Sequence, residues 1–79
     1  MNDTTKQANI RDARTPEDAL TIARARANEQ MEEYARKADA AASEGNRQLA
    51  DACRANEDAL TRTAAFLGDL LYELNECNQ

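Results

Sequence analysis

The scarcity of helix-breaking residues constrains the fold of this chain more than any other feature of its sequence. Its 79 residues include a single proline, Pro16, and only two glycines, Gly45 and Gly68. Proline and glycine are the residues that most disfavour the interior of a helix, and strong helix formers fill much of the sequence between them. The sequence therefore predicts an all-α protein with few, long helices.

The first helix has a clear start. Residues 1–14 contain one large apolar residue beyond the initial methionine and no periodic pattern, so we expect a flexible N-terminal segment. Thr15 can then cap a helix, Pro16 suits the first helical position, and two acidic residues follow where the positive end of the helix dipole lies. The first helix is predicted over about residues 16–43.

The stretch "SEGNR" marks the turn between two helices. Gly45 can adopt the left-handed conformation that ends a helix, and Asn46 can cap the next one. With a turn at 44–46, the second helix extends over about residues 47–76 and is similar in length to the first. The predicted architecture is a two-helix antiparallel hairpin, which forms a single domain over residues 15–79.

A 3-4 spacing of apolar residues marks the face that each helix turns towards the other. On the second helix this predicted seam comprises Leu49, Cys53, Asn56, Leu60, Thr63, Leu67, Leu70, Leu74 and Cys77. On the first helix it comprises Leu20, Ala23, Ala27, Met31, Tyr34, Ala38 and Ala41. Folding back at Gly45 sets Met31 near Leu60 and small residues near the turn, where the helices can approach closely.

Several positions admit two interpretations. Asn56 either specifies register and oligomeric state, as a buried asparagine does in coiled coils, or is solvated where the seam splays. Gly68, which costs about 1 kcal/mol relative to alanine in mid-helix, marks a close helix crossing or ligand groove, or is a tolerated surface glycine. Tyr34 and Tyr72 can stack on an aromatic ligand, or they pack at an interface.

A second apolar face has no partner within one hairpin. Burying a phenylalanine or leucine side chain is worth about 1.5–3 kcal/mol, and a two-helix hairpin has no third layer to do it. We therefore predict that hairpins assemble into a four-helix bundle or a higher homo-oligomer. The predicted interface residues are Ile22, Ala59, Phe66, Gly68, Leu71 and Tyr72.

The cysteines indicate neither a disulfide nor a metal site. Cys53 and Cys77 both fall on the second helix, about 36 Å apart at 1.5 Å per residue, which is too far for a bridge within the chain. Histidine is absent, and two distant thiols with scattered carboxylates do not form a zinc site. There is no secretory signal pattern and no apolar run long enough to cross a membrane, so we expect a cytoplasmic protein.

The sequence suggests no enzyme. It lacks histidine, a nucleophile with a plausible base and a glycine-rich phosphate loop, so we expect no catalytic residues and no cofactor.

Charge bears on the choice of partner. The net charge of −5 argues against general affinity for nucleic acid phosphates. Residues 1–26 carry five basic and four acidic side chains, whereas residues 27–79 carry five basic and eleven acidic ones. The arginines near the start of the first helix form either a clamp for an anionic ligand or a solvated face; they are Arg11, Arg14, Arg24 and Arg26.

Two resemblances follow from these patterns. The predicted hairpin, with its "LADACRANEDAL" heptads, resembles in architecture the plasmid RNA-binding protein Rop, which implies a four-helix bundle but transfers no RNA-binding residues. As a small, acidic, helical chain it also resembles phage counter-defence proteins, among them anti-CRISPR proteins and the oligomeric anti-CBASS sponges that sequester cyclic nucleotides. In "IRDARTPEDALTIARAR" the sponge resemblance implies ligand-binding roles for Arg11 and for Arg24 or Arg26, with Ile10 where that family has an aromatic residue.

Three functional hypotheses stand at this point. The first is a non-enzymatic helical binding protein, encoded by a phage or mobile element, that inhibits a host defence protein in the host cytoplasm. The second is an oligomeric sponge for a cyclic nucleotide, and the third is a Rop-like RNA-binding or structural hairpin.

Overall fold

The computed structural model describes residues 10–77 and consists of two long helices. Helix α1 spans Pro16–Ser43 and helix α2 spans Arg47–Cys77, and the described residues contain no strand. The two helices pack against each other as an antiparallel hairpin, which confirms the predicted fold class at the level of the single chain.

A short turn precedes α1. Residues 1–9, which make up most of the predicted flexible segment, lie outside the described residues. Ile10–Asp12 form one turn of 3₁₀-helix that contacts α1, and the Ala13 N–H donates to the Ile10 carbonyl oxygen at 3.0 Å. These three residues belong to the predicted flexible segment, and the i→i+3 hydrogen bond gives them local order without any apolar periodicity.

The start of α1 is capped as the sequence predicts. Thr15 has an extended backbone, and its hydroxyl oxygen accepts a hydrogen bond from the Asp18 N–H at 3.0 Å. The Asp18 carboxylate in turn accepts from the Arg14 N–H at 3.3 Å. The bond to Thr15 satisfies a backbone donor that the helix itself cannot pair, and the bond from Arg14 ties the chain before the cap to the first turn of α1.

The turn between the helices is a Schellman motif. Gly45 has a φ of +81°, and its N–H donates to the Ala42 carbonyl oxygen at 3.0 Å. The Asn46 N–H donates to the Ala41 carbonyl oxygen at 2.8 Å. The Asn46 side-chain oxygen then accepts from the Leu49 N–H at 3.1 Å and so caps α2, which means that one residue closes the first helix and opens the second.

The hairpin buries small side chains only. Among the described residues the buried side chains are Ala27, Ala38, Ala41, Ala50, Cys53 and Ala64, and none of the large side chains is fully buried. The larger apolar residues between the helices are half-buried: Leu20, Met31, Tyr34, Leu60, Leu67, Leu71 and Leu74. Because a core of this kind removes little apolar surface from water, one hairpin alone has little to offset the conformational entropy that folding costs.

The predicted seam on α1 matches the observed burial, but the predicted seam on α2 is wrong at alternate positions. Leu49 is 48% exposed, and both Asn56 and Thr63 are exposed. At these three positions the residue that faces α1 instead lies one position further along the helix; these residues are Ala50, Glu57 and Ala64. Leu70 and Leu71 are both half-buried, and Leu70 lines a groove together with Leu20 of α1. Both patterns share Cys53, Leu60, Leu67 and Leu74, whereas Cys77, the last residue of the predicted seam, is exposed.

The tight turn explains this rotation of α2. Only Glu44, Gly45 and Asn46 link the two helices, so the helices must be close together where the first turn of α2 begins. Ala50 fits that space against α1, whereas Leu49 would force the helices apart. The apolar periodicity of the sequence favoured the larger side chain, and steric exclusion at the turn selected the smaller one.

Polar contacts between the helices follow the antiparallel register. Arg54 forms an ion pair with Asp39 at 3.2 Å, and the Thr61 hydroxyl lies 2.9 Å from the sulfur of Met31. The predicted neighbour of Met31, Leu60, is the residue before Thr61. Both charged side chains of the ion pair are more than half exposed, so the pair orients the helices more than it stabilises them.

Candidate functional site

The surface of α2 carries the apolar side chains that the hairpin leaves unused. Leu49 is 48% exposed, Phe66 60% and Tyr72 67%. Isolated exposed apolar residues are ordinary on a protein surface, so their arrangement around the helix decides whether they form a site.

Phe66 and Tyr72 lie on different sides of the hairpin. Consecutive residues turn by about 100° around an α-helix, so these two leave α2 about 120° apart. The Arg54–Asp39 ion pair and the contact between Gly68 and Arg24 lie on the same side as Tyr72. We call this the Tyr72 side, and we call the opposite one, which carries Phe66, the Phe66 side.

The Phe66 side of α2 is an uncharged stripe. Its residues follow a 3-4 spacing along the helix, and all of them except the half-buried Leu70 are exposed. We define the stripe by these residues: Leu49, Ala52, Asn56, Ala59, Thr63, Phe66 and Leu70. The charged residues of α2 lie on other sides of the helix. If the 3-4 spacing is continued past Leu70, the next residue is the charged Glu73.

The predicted oligomer interface therefore does not form a single face. Ile22, Ala59 and Phe66 lie on the Phe66 side by helical rotation. Leu71 is half-buried in the seam that faces α1. Gly68 and Tyr72 lie on the Tyr72 side, so the prediction combined two surfaces that the structure separates.

Gly68 has a specific neighbour on the Tyr72 side. A Cβ atom added at Gly68 would lie 3.3 Å from Cζ and 3.5 Å from Nε of Arg24, so the guanidinium of Arg24 lies directly against the helix at this point. Gly68 is one turn from Tyr72, and Ala65 is two turns away on the same side. An aromatic ring and a guanidinium thus lie on the same side of the hairpin, with small residues of α2 beside them, and we call Arg24, Ala65, Gly68 and Tyr72 the Tyr72 patch.

Of the four arginines proposed as a ligand clamp, the two on α1 diverge within one chain. All four are exposed; Arg11 lies in the 3₁₀ turn and Arg14 lies just before the cap of α1. Arg24 and Arg26 leave α1 about 160° apart, so they project to the Tyr72 side and the Phe66 side respectively. A clamp that uses both of these arginines needs more than one copy of the chain.

Two clefts occur at the two ends of the hairpin. An apolar groove at the open end is lined by Pro16, Leu20, Leu70, Glu73, Leu74 and Cys77. A cleft beside the turn is lined by Ala42, Gly45, Arg47, Ala50, Asp51 and Arg54. In the turn cleft the arginines are accompanied by Asp51, and Arg54 is already paired with Asp39 and Glu57, so the cleft does not present a concentrated positive charge.

Metal-binding side chains do not cluster among the described residues. Within residues 10–77, no three histidine, cysteine, aspartate or glutamate side chains are grouped so that they could hold a metal ion. Cys53 is buried and Cys77 is exposed, and both thiols are free. No helix in this part of the chain has the length and apolar character needed to cross a membrane.

Sequence reasoning missed the stripe because it assigned Leu49, Asn56, Thr63 and Leu70 to the seam. The signal that could have found it is the absence of charge at the 3-4 spaced positions from Leu49 to Leu70, when charged residues occupy the rest of the outer surface of α2. No protein family, no curated protein and no solved structure matches the chain.

Proposed function

We propose that this protein is a non-enzymatic helical binding protein that acts as a homo-oligomer and inhibits a host protein, in the manner of a phage or mobile-element product. The Tyr72 patch is the observation that carries the binding role. Tyr72 is 67% exposed, and the guanidinium of Arg24 lies against Gly68, one helical turn from Tyr72 along α2. Tyrosine and arginine, together with tryptophan, are the residue types enriched among the hot spots of protein interfaces.

The small core supports the homo-oligomeric part of the proposal. The hairpin buries five alanines and one cysteine among its described residues, and single domains of this size usually need additional stabilisation. The chain has no disulfide to supply it, since both cysteines are free. Association with a second copy would bury the half-exposed leucines and the exposed Phe66, which a single hairpin leaves in contact with water.

The choice of a host protein as target rests on the resemblance to phage counter-defence proteins in size, acidity and helical architecture. The first test is biological: the gene is expressed in bacterial strains that carry individual defence systems, and phage plating efficiency is measured. We expect plating to recover in one defence background and to stay unchanged in an undefended strain. Unchanged plating in every defence background tested would contradict the inhibitor role in those systems.

The second test assigns the binding surface. Once a target is identified, its affinity is measured for Tyr72→Ala and for Arg36→Ala, which removes an exposed side chain from the outer face of α1. Loss of an interface hot spot costs 2 kcal/mol or more, so we expect Tyr72→Ala to weaken binding by at least about 30-fold. Equal affinities for both variants would place the target on another surface.

The main competing hypothesis is that the protein binds a cyclic nucleotide. It predicts a different outcome when nucleotides are added to the protein. In a sponge, arginines of different copies would have to meet, because Arg24 and Arg26 diverge within one chain. A cyclic dinucleotide that binds the native oligomer raises its melting temperature by mass action. If such a shift is observed, and Arg24→Ala and Arg26→Ala abolish it, the protein is a sponge and the proposal of a protein target is wrong. RNA binding that weakens steeply with salt would instead favour the Rop-like hypothesis.

A further inference from the structure

We propose that the uncharged stripe of α2 is a self-association surface, on which a second copy of this chain docks with its own stripe and with the two α2 helices antiparallel. This inference deepens the homo-oligomeric part of the proposed function and rests on it. It does not involve the Tyr72 patch, which lies on the other side of the hairpin.

The distribution of side-chain size along the stripe favours pairing with itself. Large residues stand at its two ends, Leu49 at one and Phe66 with Leu70 at the other, while the middle contains only smaller residues. The stripe spans about 32 Å at 1.5 Å per residue. An antiparallel pair centred near Ala59 sets Leu49 of each copy against Phe66 and Leu70 of the other. The small central residues then let the two helix backbones approach closely.

The polar residues of the stripe are also complementary in this orientation. The Thr63 hydroxyl donates its proton to the Ala59 carbonyl oxygen at 3.0 Å, so the hydroxyl oxygen is left as an acceptor. Antiparallel pairing about Ala59 brings the side-chain amide of Asn56, which has two N–H donors, opposite Thr63 of the second copy. Two-fold symmetry repeats this pairing, so both polar residues of the stripe find a partner when they are buried.

The charge of Glu73 favours the antiparallel orientation of the two α2 helices over the parallel one. Glu73 extends the stripe beyond Leu70, and a parallel pair would set the two Glu73 carboxylates against each other. In the antiparallel pair, Glu73 instead lies near the start of α2 in the second copy, at the positive end of the helix dipole. The flank of α1 next to the stripe carries Arg26, Glu33 and Lys37, so it suits the polar rim of an interface rather than its centre.

Cross-linking tests the orientation. In a Cys77→Ser background, Leu49→Cys and Leu70→Cys variants are prepared separately, with a mass tag on one of them. They are then mixed and treated with a short bismaleimide. An antiparallel dimer holds the two different thiols together at roughly millimolar effective concentration. We therefore expect the mixed product to form at least about tenfold faster than either homodimer product. Asp51→Cys mixed with Asp69→Cys is the matched control, because these exposed positions lie at similar heights on the charged face of α2, and it should show no such preference.

A parallel pair would give the reverse result, with Leu49→Cys and Leu70→Cys each linking mainly to itself, and this would overturn the inference while leaving a homo-oligomer intact. Equal rates for the stripe and the control pairs would also overturn it. If sedimentation of the unmodified chain shows only monomers, the homo-oligomeric part of the proposed function fails together with the inference.

A second measurement tests the stripe independently of cross-linking. Ala59→Glu places a charge at the centre of the pair, whereas Ala25→Glu makes the same change at an exposed alanine on the outer face of α1. We expect Ala59→Glu to raise the dimer dissociation constant at least about tenfold more than Ala25→Glu does, measured by analytical ultracentrifugation. Equal dissociation constants would contradict a role for the stripe.

Discussion

The two glycines of this chain serve different purposes at the scale of single residues. Gly45 has a positive φ and no atom within 4 Å of the position of a Cβ, so its backbone conformation alone calls for glycine. Gly68 has an ordinary helical conformation but lies against Arg24. The sequence predicts the first role from the turn signals around it, whereas the second depends on a residue that is distant along the chain.

Replacement of Gly45 tests its backbone role. Gly45→Val should lower the free energy of unfolding by about 1 kcal/mol or more, because a β-branched residue is strained at positive φ. Gly45→Asn should have a mild effect, since asparagine tolerates this conformation. Circular dichroism melts in urea measure both changes. If both variants melt like the parent, the left-handed turn contributes nothing to stability.

Replacement of Gly68 separates its two interpretations. Gly68→Ala should stabilise the helix by up to about 1 kcal/mol, because the exposed and flexible side chain of Arg24 can move the few tenths of an ångström that a Cβ needs. Thermal melts of Gly68→Ala and of Gly68→Ala combined with Arg24→Ala measure this effect. A large loss of stability in both variants would indicate that a helix from another copy crosses at Gly68, as the sequence also allowed.

At the scale of the helices, α2 shows how a turn determines which face is buried. Its 3-4 periodicity is compatible with two adjacent seams that share Cys53, Leu60, Leu67 and Leu74. The short turn leaves room for Ala50 against α1, so the seam that contains Ala50 is the one that is buried. Leu49 is exposed to solvent. The exposed stripe is a consequence of that choice, since the rejected seam positions became part of it.

A substitution at Ala50 tests the rotation of α2. Ala50→Leu should destabilise the hairpin by about 1–3 kcal/mol, because a larger side chain is forced into the closely packed space beside the turn. Ala25→Leu, at an exposed position of α1, is the matched control and should have little effect. Chemical denaturation of both variants measures the difference. Equal stabilities would mean that α2 does not turn Ala50 towards α1 in solution.

At the scale of the whole molecule, the structure gives the hairpin two different sides. The Phe66 side is uncharged along the stripe of α2, while the Tyr72 side combines an exposed tyrosine with an arginine. Under the proposed function, this division would let self-association and inhibition use different surfaces. It also predicts that substitutions on the two sides have separable effects.

Aspartate substitutions of Phe66 and Tyr72 compare the two sides of the hairpin. Phe66→Asp should dissociate or unfold the oligomer, because it buries an unpaired charge in the proposed interface. Tyr72→Asp should leave the oligomeric state unchanged and affect only the binding of the target. Sedimentation velocity at micromolar concentration, together with circular dichroism, measures assembly and helicity. A stable and fully helical monomer of the unmodified chain under these conditions would contradict the prediction of an obligate oligomer.

The sequence by itself determined the features of this protein that depend on local chemistry. Thr15 and Pro16 begin α1, Gly45 and Asn46 form the turn, and alanine-rich helices fill the rest. These features are predictable because caps, turn conformations and helix propensity act over a few neighbouring residues.

Only the tertiary structure decided which residues face each other and which face the solvent. Three features depend on how α2 is rotated about its axis relative to α1. They are the exposure of Leu49, the placement of Phe66 and Tyr72 on different sides of the hairpin, and the contact of Arg24 with Gly68. Helical periodicity does not fix that rotation completely. The same apolar pattern is compatible with two seams, whose alternate positions differ by one residue. The steric fit of alanine against alanine at the tight turn selects one of them, and that fit exists only when both helices are in place.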